Sequence, residues 1–191
     1  MHMKRLFRKS GRARIIIPSF VLGGLAAAAL SVVAAVLVEH TGDDVFCGKC
    51  HEMDVYCETW ETSAHGTAQK GIQVANCVDC HLPHDNPVGY ILFKAKKGIH
   101  DVSAHLRGIR PGGISRLEAR EEYTFESGCL KCHKELVAPG ISLKAFTAHR
   151  DYMTGETTKS CITCHTDVGH GDLKSVLLEQ EAHLEQNGGT G

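Results

Sequence analysis

Four copies of one five-residue pattern constrain this chain more than anything else in it: Cys47-Gly-Lys-Cys50-His51, Cys77-Val-Asp-Cys80-His81, Cys129-Leu-Lys-Cys132-His133 and Cys161-Ile-Thr-Cys164-His165. Each reads CxxCH. Two thiols so spaced add to the vinyl groups of a haem as thioethers, and the adjacent histidine is then held against the iron as proximal ligand. Zinc cages built from CxxC pairs do not demand a histidine after every second cysteine, and a thioredoxin-like redox pair would occur once, beside a βαβ pattern absent here. The pattern therefore predicts four covalently bound haem c groups rather than zinc or disulfides. They are attached through Cys47, Cys50, Cys77, Cys80, Cys129, Cys132, Cys161 and Cys164, with His51, His81, His133 and His165 beside the irons. The ninth cysteine, Cys57, has no evident mate.

The N-terminal segment is of a different character. Residues 1–14 carry six basic side chains, and the first 38 residues contain no acidic one. Residues 15–38 are uncharged (IIIPSFVLGGLAAAALSVVAAVLV), long enough at about 1.5 Å per residue to cross a hydrocarbon core of about 30 Å. A cleaved signal has the same order of features, but its apolar region runs only about 7 to 15 residues, which favours an uncleaved anchor. The basic tail should stay in the cytoplasm, placing everything after Glu39 in the periplasm of a bacterial inner membrane. All 22 acidic residues follow Val38, against 15 of the 21 basic ones, a formal charge of −7 that argues against nucleic acid as a partner.

The motifs begin at 47, 77, 129 and 161, two pairs joined by a longer middle segment, as a duplicated two-haem unit would be. Ser63-Ala64-His65 and Thr147-Ala148-His149 each place a histidine twelve residues before the second motif of their pair. This symmetry raises His65 and His149 above the ordinary expectation for a lone histidine, that it is a surface or hydrogen-bonded residue. His170 and His84 follow as candidate sixth ligands; His40, His100, His105 and His183 carry no such signal. With a thin apolar core of its own, a part of this size needs the haems as its interior. Haems packed so closely pass electrons along a row.

Apolar spacing predicts an amphipathic helix near the membrane over 88–106, with Lys94, Lys96 and Lys97 interleaved, and further helices over 114–126 and 173–186, the last with Asp172 as N-cap. Arg110-Pro-Gly-Gly113 reads as a break between halves, and no strand is evident. The expected fold is mostly α with few short helices: an N-terminal transmembrane helix plus a periplasmic multihaem domain of two pseudo-symmetric dihaem halves. Its boundaries fall at 1–14, 15–38, 39–108 and 109–191.

At the first motif, Cys50-His51-Glu52-Met53 offers two groups that can reach one iron, His51 and the Met53 thioether; by itself Met53 reads as a core filler. The whole arrangement resembles the NapC/NirT/NrfH family of membrane-anchored tetrahaem quinol dehydrogenases: basic tail, single anchor, four CxxCH sites, CHxM at the first and Cys-His-x-Pro-His at the second. The resemblance covers nearly the whole chain. It implies Met53 as proximal ligand of a first haem lying nearest the membrane, with an acidic residue on the other face. The family's Phe-Lys-Ala and an acidic residue seven positions after the lysine match Phe93-Lys94-Ala95 and Asp101, which implies Lys94 and Asp101 as the quinol-binding pair. The chemistry agrees, since quinol oxidation releases protons that a carboxylate can accept while an ammonium polarises a quinone oxygen; the same lysines could instead hold lipid phosphates. The family's S-x-H and CHxxxxH contexts match His65 and His170. Its nitrite-reductase branch can take a sixth ligand from the partner enzyme, a pattern from which the 32-residue spacing of the last two motifs and His149 depart.

The expected function is oxidation of menaquinol or ubiquinol from the membrane pool and delivery of electrons to a periplasmic terminal reductase, first a multihaem nitrite reductase, then a periplasmic nitrate reductase or several clients. A terminal reductase lacks support, with no CxxCK motif present. A passive relay, its helix merely a tether, would oxidise no quinol.

Overall fold

The computed structural model describes residues 3–66, 71–109 and 113–188; among them there are helices, turns and no strand. The chain divides into two compact units, one ending at Thr41 and one beginning at Gly42.

The first unit is α1 (Met3–His40), with Pro18 inside it. Its stretch Ile15–His40 has a mean hydropathy of 2.5 and no buried residue, long and apolar enough to cross a membrane. Thr41 closes it, donating its backbone N–H and hydroxyl to Leu37 O at 3.0 and 2.7 Å.

The second unit is built from short helices: α2 (Asp44–Cys47), α3 (Asp54–Glu61), α4 (Cys77–His81), α5 (Pro87–Leu106), α6 (Gly113–Glu118), α7 (Glu126–Cys132), α8 (Leu143–Met153), α9 (Cys161–Cys164) and α10 (Leu173–Gly188). Side-chain caps start several. Asp43 accepts from Phe46 N at 2.7 Å, Asn86 from Gly89 N at 2.7 Å ahead of Pro87, and Ser142 from Ala145 N at 3.2 Å. Asn76 and Asp79 close a reciprocal capping box on α4.

The motifs themselves form helical turns that pack in sequence, α4 on α7 and α7 on α9. A Cβ at Gly128 would run into Asp79 O, so glycine is what lets the α4 and α7 backbones touch. Lys131 Nζ joins Asp79 across the same contact at 2.8 Å. α10 packs on α3 and α6, and the buried apolar side chains among the described residues are Trp60, Leu82, Leu173 and Leu177.

The helices expected over 88–106 and 173–186 correspond to α5 and α10. Asp172 stands before α10 and takes the Ser175 hydroxyl at 2.6 Å. The helix expected over 114–126 is interrupted instead: α6 ends at Glu118, a 3₁₀ turn covers Arg120–Glu122, and α7 begins at Glu126. The reason lies in backbone hydrogen bonding. Tyr123 O accepts from His81 Nδ1 at 2.7 Å and Phe125 N donates to Cys80 O at 2.9 Å, so residues 123–125 bind motif 2 rather than extend a helix. The expected break at 110–113 lies outside the described residues except for Gly113, where α6 begins.

Candidate functional site

Each motif histidine has a second histidine facing it. His81 and His170 have ring centroids 6.0 Å apart, His133 and His65 6.1 Å, and His165 and His149 6.1 Å. An iron bound through Nε2 on both sides, with iron–nitrogen bonds of about 2 Å, separates two imidazole centroids by about 6 Å. The second histidine in each pair is oriented by its other nitrogen. His170 Nδ1 donates to Tyr56 O at 3.0 Å, His65 Nδ1 to Val168 O at 3.0 Å, and His149 Nδ1 to Leu136 O at 2.6 Å. A carbonyl on Nδ1 fixes the tautomer and leaves Nε2 free for a metal. Burial, then the neighbouring His81, brings His170 down to about 4, so that it is neutral, the form that ligates iron.

The pairing crosses the sequence repeat. His65 and His149 occupy equivalent places in the two halves, yet His149 faces the second motif of its own half while His65 reaches motif 3, and His170 fills the place opposite motif 2. His84 faces no motif histidine. Its Nε2 donates to Val78 O at 3.1 Å, its backbone N–H bonds Ser127 Oγ at 2.9 Å, and its ring lies 5.1 Å from that of Tyr90. It joins α4 to α7, a structural place rather than the ligand place offered for it from sequence.

Motif 1 is arranged differently. His51 and His105 rings stand 6.2 Å apart, but one Glu52 oxygen lies 3.1 Å from His105 Nδ1 and 3.5 Å from His51 Nδ1. The two Nδ1 atoms are therefore less than about 7 Å apart, whereas imidazoles sharing an iron through Nε2 hold them about 8 Å apart. A carboxylate, not an iron, fits between these rings. Met53 lies half-buried at the end of the 3₁₀ turn His51–Met53, its N–H bonded to Cys50 O at 2.8 Å. Cys50, Glu52 and His105 place ligand atoms within 4.8 Å of one another, yet the Cys50 sulfur belongs to the thioether pattern, so no separate metal centre arises from them.

Lys94 and Asp101 are seven residues apart on α5, and His105 follows four later, so the three share one helix face. His105 Nδ1 lies 3.0 Å from Glu52, which follows His51, and this sets that face towards motif 1. Lys94 is half-buried with Nζ 5.9 Å from the Tyr90 ring centroid. Burial pulls its pKa below the ordinary lysine range, with Cys47 and Asp43 opposing. The Asp101 carboxylate is exposed and accepts from His100 Nδ1 at 3.0 Å. Sequence reasoning left Glu52 and His105 out of the site; the available signal was the spacing of His105 from Asp101 along one helix face.

The cysteines keep the same order. Cys47 and Cys77 are hydrogen-bonding neighbours, as are Cys129 and Cys161, and Cys80 lies within electrostatic reach of Cys129 and Cys132. The motifs thus succeed one another in space as 1, 2, 3, 4. Cys57 is a half-buried thiol with its pKa raised by burial, the condition of an unreactive cysteine. The four buried apolar side chains among the described residues make a small core for a unit of this size. Four CxxCH sites, three oriented histidine pairs at iron-spanning distance and this small core fit four haems, whose apolar faces would supply the remaining interior.

Fold and site together define a multihaem c-type cytochrome carrying one helix suited to anchor it in a membrane. Residues 10–175 match the NapC/NirT cytochrome c family, N-terminal region, and the chain belongs to that family. It is 29% identical over 178 residues to the cytochrome c nitrite reductase subunit NrfH of Nitratidesulfovibrio vulgaris, covering 91% of this chain and 95% of that protein. To the tetraheme c-type cytochrome CymA of Shewanella oneidensis it is 26% identical over 186 residues, covering 89% and 97%. The crystal structure of the cytochrome c nitrite reductase NrfHA complex bound to the HQNO inhibitor contains a similar chain, with a TM-score of 0.51 and 26% identity over 79% of this chain and 90% of that one.

Proposed function

We propose that this chain is a quinol dehydrogenase that takes electrons from the membrane quinol pool at motif 1 and delivers them, through motifs 2, 3 and 4, to a periplasmic reductase, first of all a multihaem nitrite reductase. The observation that supports the reading is the α5 face shared by Lys94, Asp101 and His105, which the His105–Glu52 hydrogen bond holds against motif 1. Bound haem supplies one-electron chemistry at iron, which quinol oxidation must be divided to suit. The protein's part is protons and position. Lys94 is placed to hydrogen-bond a quinol oxygen, and the Asp101 carboxylate to accept a proton released from it. His81 with His170, His133 with His65, and His165 with His149 are the ligand pairs of motifs 2 to 4, and Met53 is the iron ligand of motif 1. The basic residues before Ile15 favour a cytoplasmic N-terminus and a periplasmic haem domain in the inner membrane.

Likeness to NrfH and to the NrfHA complex supports nitrite reductase as the partner. One observation favours a second reading, a distributor serving several periplasmic reductases. Motif 4 finds its facing histidine, His149, within this chain, so no client has to complete it. The test is reduction of the purified full chain in detergent by a menaquinol analogue, followed in the visible haem bands. Rapid reduction blocked by a quinone-site inhibitor is expected; no reduction while dithionite still reduces all four haems would make the chain a passive relay. Adding nitrite reductase, then nitrate reductase, to the reduced chain and timing its reoxidation separates the two partner readings.

A further inference from the structure

The motif 4 turn, α9, has no side-chain cap of its own. Ser160 stands at its N-cap position, but its hydroxyl donates to Glu121 Oε1 at 3.1 Å instead of serving the helix backbone. The Thr163 hydroxyl donates to the same Glu121 oxygen. The first N–H groups of a helix have no partner inside it, and Cys161 N, the first of α9, finds one 35 residues away, donating to Glu126 Oε1 at 2.7 Å. Two carboxylates that precede motif 3 therefore grip the turn of motif 4.

The other oxygen of Glu126 makes this more than a cap. Oε2 accepts from the Tyr152 hydroxyl at 3.3 Å. Tyr152 belongs to α8 and follows His149 by about one turn, and His149 is the residue whose ring faces His165 across 6.1 Å. Burial first, and then the Glu126 carboxylate, raise the Tyr152 pKa, which keeps its hydroxyl a donor. One half-buried carboxylate thus joins three elements: α7, which carries motif 3; α9, at the first cysteine of motif 4; and α8, which brings the facing histidine. The ring planes of His149 and His165 are inclined by only 30°, against 86° for His65 with His133 and 45° for His170 with His81. Two anchors on α8 hold that angle, the His149 Nδ1 bond to Leu136 O and the Tyr152 bond to Glu126.

We propose that Glu126 is a positioning residue for the haem of motif 4: it fixes α8, and with it the plane of the His149 ring, and it holds a negative group beside the Cys161 attachment. Ferric haem carries one positive charge more than ferrous haem, so a carboxylate fixed at its edge favours the ferric form and lowers the potential, while the axial rings and their hydrogen bonds set the rest. Motif 4 ends the row of motifs, so Glu126 acts on the haem from which electrons leave. The inference rests on His149 and His165 being the ligand pair of that haem.

The experiment compares the full haem-loaded chain in detergent with its Glu126→Gln and Tyr152→Phe variants. Potentials come from a redox titration followed in the visible haem bands, and ligand geometry from electron paramagnetic resonance, in which near-parallel axial imidazoles give a rhombic signal and near-perpendicular ones a signal at large g. Both variants should keep four haems. Glu126→Gln preserves the shape of the side chain but not its charge, and should raise the potential of at least one haem. Tyr152→Phe leaves the charge and releases α8, and should shift the rhombic signal of the near-parallel pair while the large-g signal of the near-perpendicular pair stays in place. Potentials and signals that match wild type in both variants overturn the proposal, and so does a lower melting temperature with no other change, which would make Glu126 a structural clamp alone. His149→Ala separates this from the ligand reading. If it turns one haem high-spin while Glu126→Gln and Tyr152→Phe change nothing, the ligand pair stands and the role of Glu126 falls; if it leaves every haem low-spin, the ligand reading falls and takes the ring-plane role of Glu126 with it.

Discussion

His105 Nδ1 lies 3.0 Å from the Glu52 carboxylate, and the same side chain reaches His51. One acidic residue thus holds both imidazoles at motif 1 by Nδ1, the nitrogen that His65, His149 and His170 give to backbone carbonyls. His105 is therefore not the counterpart of His65, His149 or His170. In His105→Ala the number of low-spin haems, counted by electron paramagnetic resonance, should remain that of the wild type. Met53→Ala should change the spectrum of one haem. Conversion of a haem to high spin by His105→Ala would make His105 an iron ligand and remove Met53 from that role.

The other histidines should behave in the opposite manner. His65→Ala, His149→Ala and His170→Ala each remove one facing ring from motifs 3, 4 and 2 respectively. Each variant should retain four thioether-bound haems and turn one of them high-spin, since attachment depends on the cysteines and the low-spin state on two strong axial ligands. His84→Ala should change no spin state, because its ring bonds Val78 O and packs on Tyr90. Spin counts on purified variants decide all four cases.

Much of this was legible in the chain itself. CxxCH names its own cofactor, and the uncharged run after Arg14 names a span, because each is a local pattern with a local cause. His65 and His149 stood out by repeat symmetry, and His170 by its spacing from Cys164-His165. What symmetry could not decide is which motif each faces, because that depends on how the motif helices stack, and the contacts of α4 with α7 and of α3 with α10 join residues far apart in sequence. His84 was over-read for the same reason: three residues from a motif histidine is close in sequence, but its ring is turned to Val78 O. The unbroken helix expected over 114–126 failed because Tyr123 and Phe125 hydrogen-bond motif 2, a tertiary demand that periodicity does not register.

Gly128→Ala reverses the usual sign of a helix substitution. Alanine in place of glycine inside a helix ordinarily adds about 1 kcal/mol of stability. At Gly128 the new methyl group would meet Asp79 O, forcing apart the backbones through which motifs 2 and 3 pack. Overpacking of this kind costs about 1–3 kcal/mol, so the variant should melt several degrees lower than wild type. Lys131→Ala, which removes only a half-exposed partner of Asp79, should cost under about 1 kcal/mol. Thermal unfolding followed by haem absorbance compares them, and a Gly128→Ala chain as stable as wild type would show that the α4–α7 contact is looser than described.

Lys94 gives the proposed quinol site a pH signature. Burial disfavours its ammonium and places its pKa below the ordinary lysine value of about 10.4. The charged form is therefore lost, as pH rises, earlier than in a solvated lysine. If the ammonium polarises a quinol oxygen, the rate of menaquinol oxidation should fall on an alkaline limb that begins below the lysine range. Lys94→Arg keeps a cation whose pKa exceeds 12, so it should retain part of the neutral-pH rate and lose the limb. Lys94→Ala should lower the rate about 10- to 100-fold across the whole range with haem content intact. Asp101→Asn should also lower it, through loss of the proton acceptor, while leaving the alkaline limb where it was. The measurement is the rate against pH for all three variants; an alkaline limb unmoved by Lys94→Arg would assign that titration to another group and separate Lys94 from the chemistry.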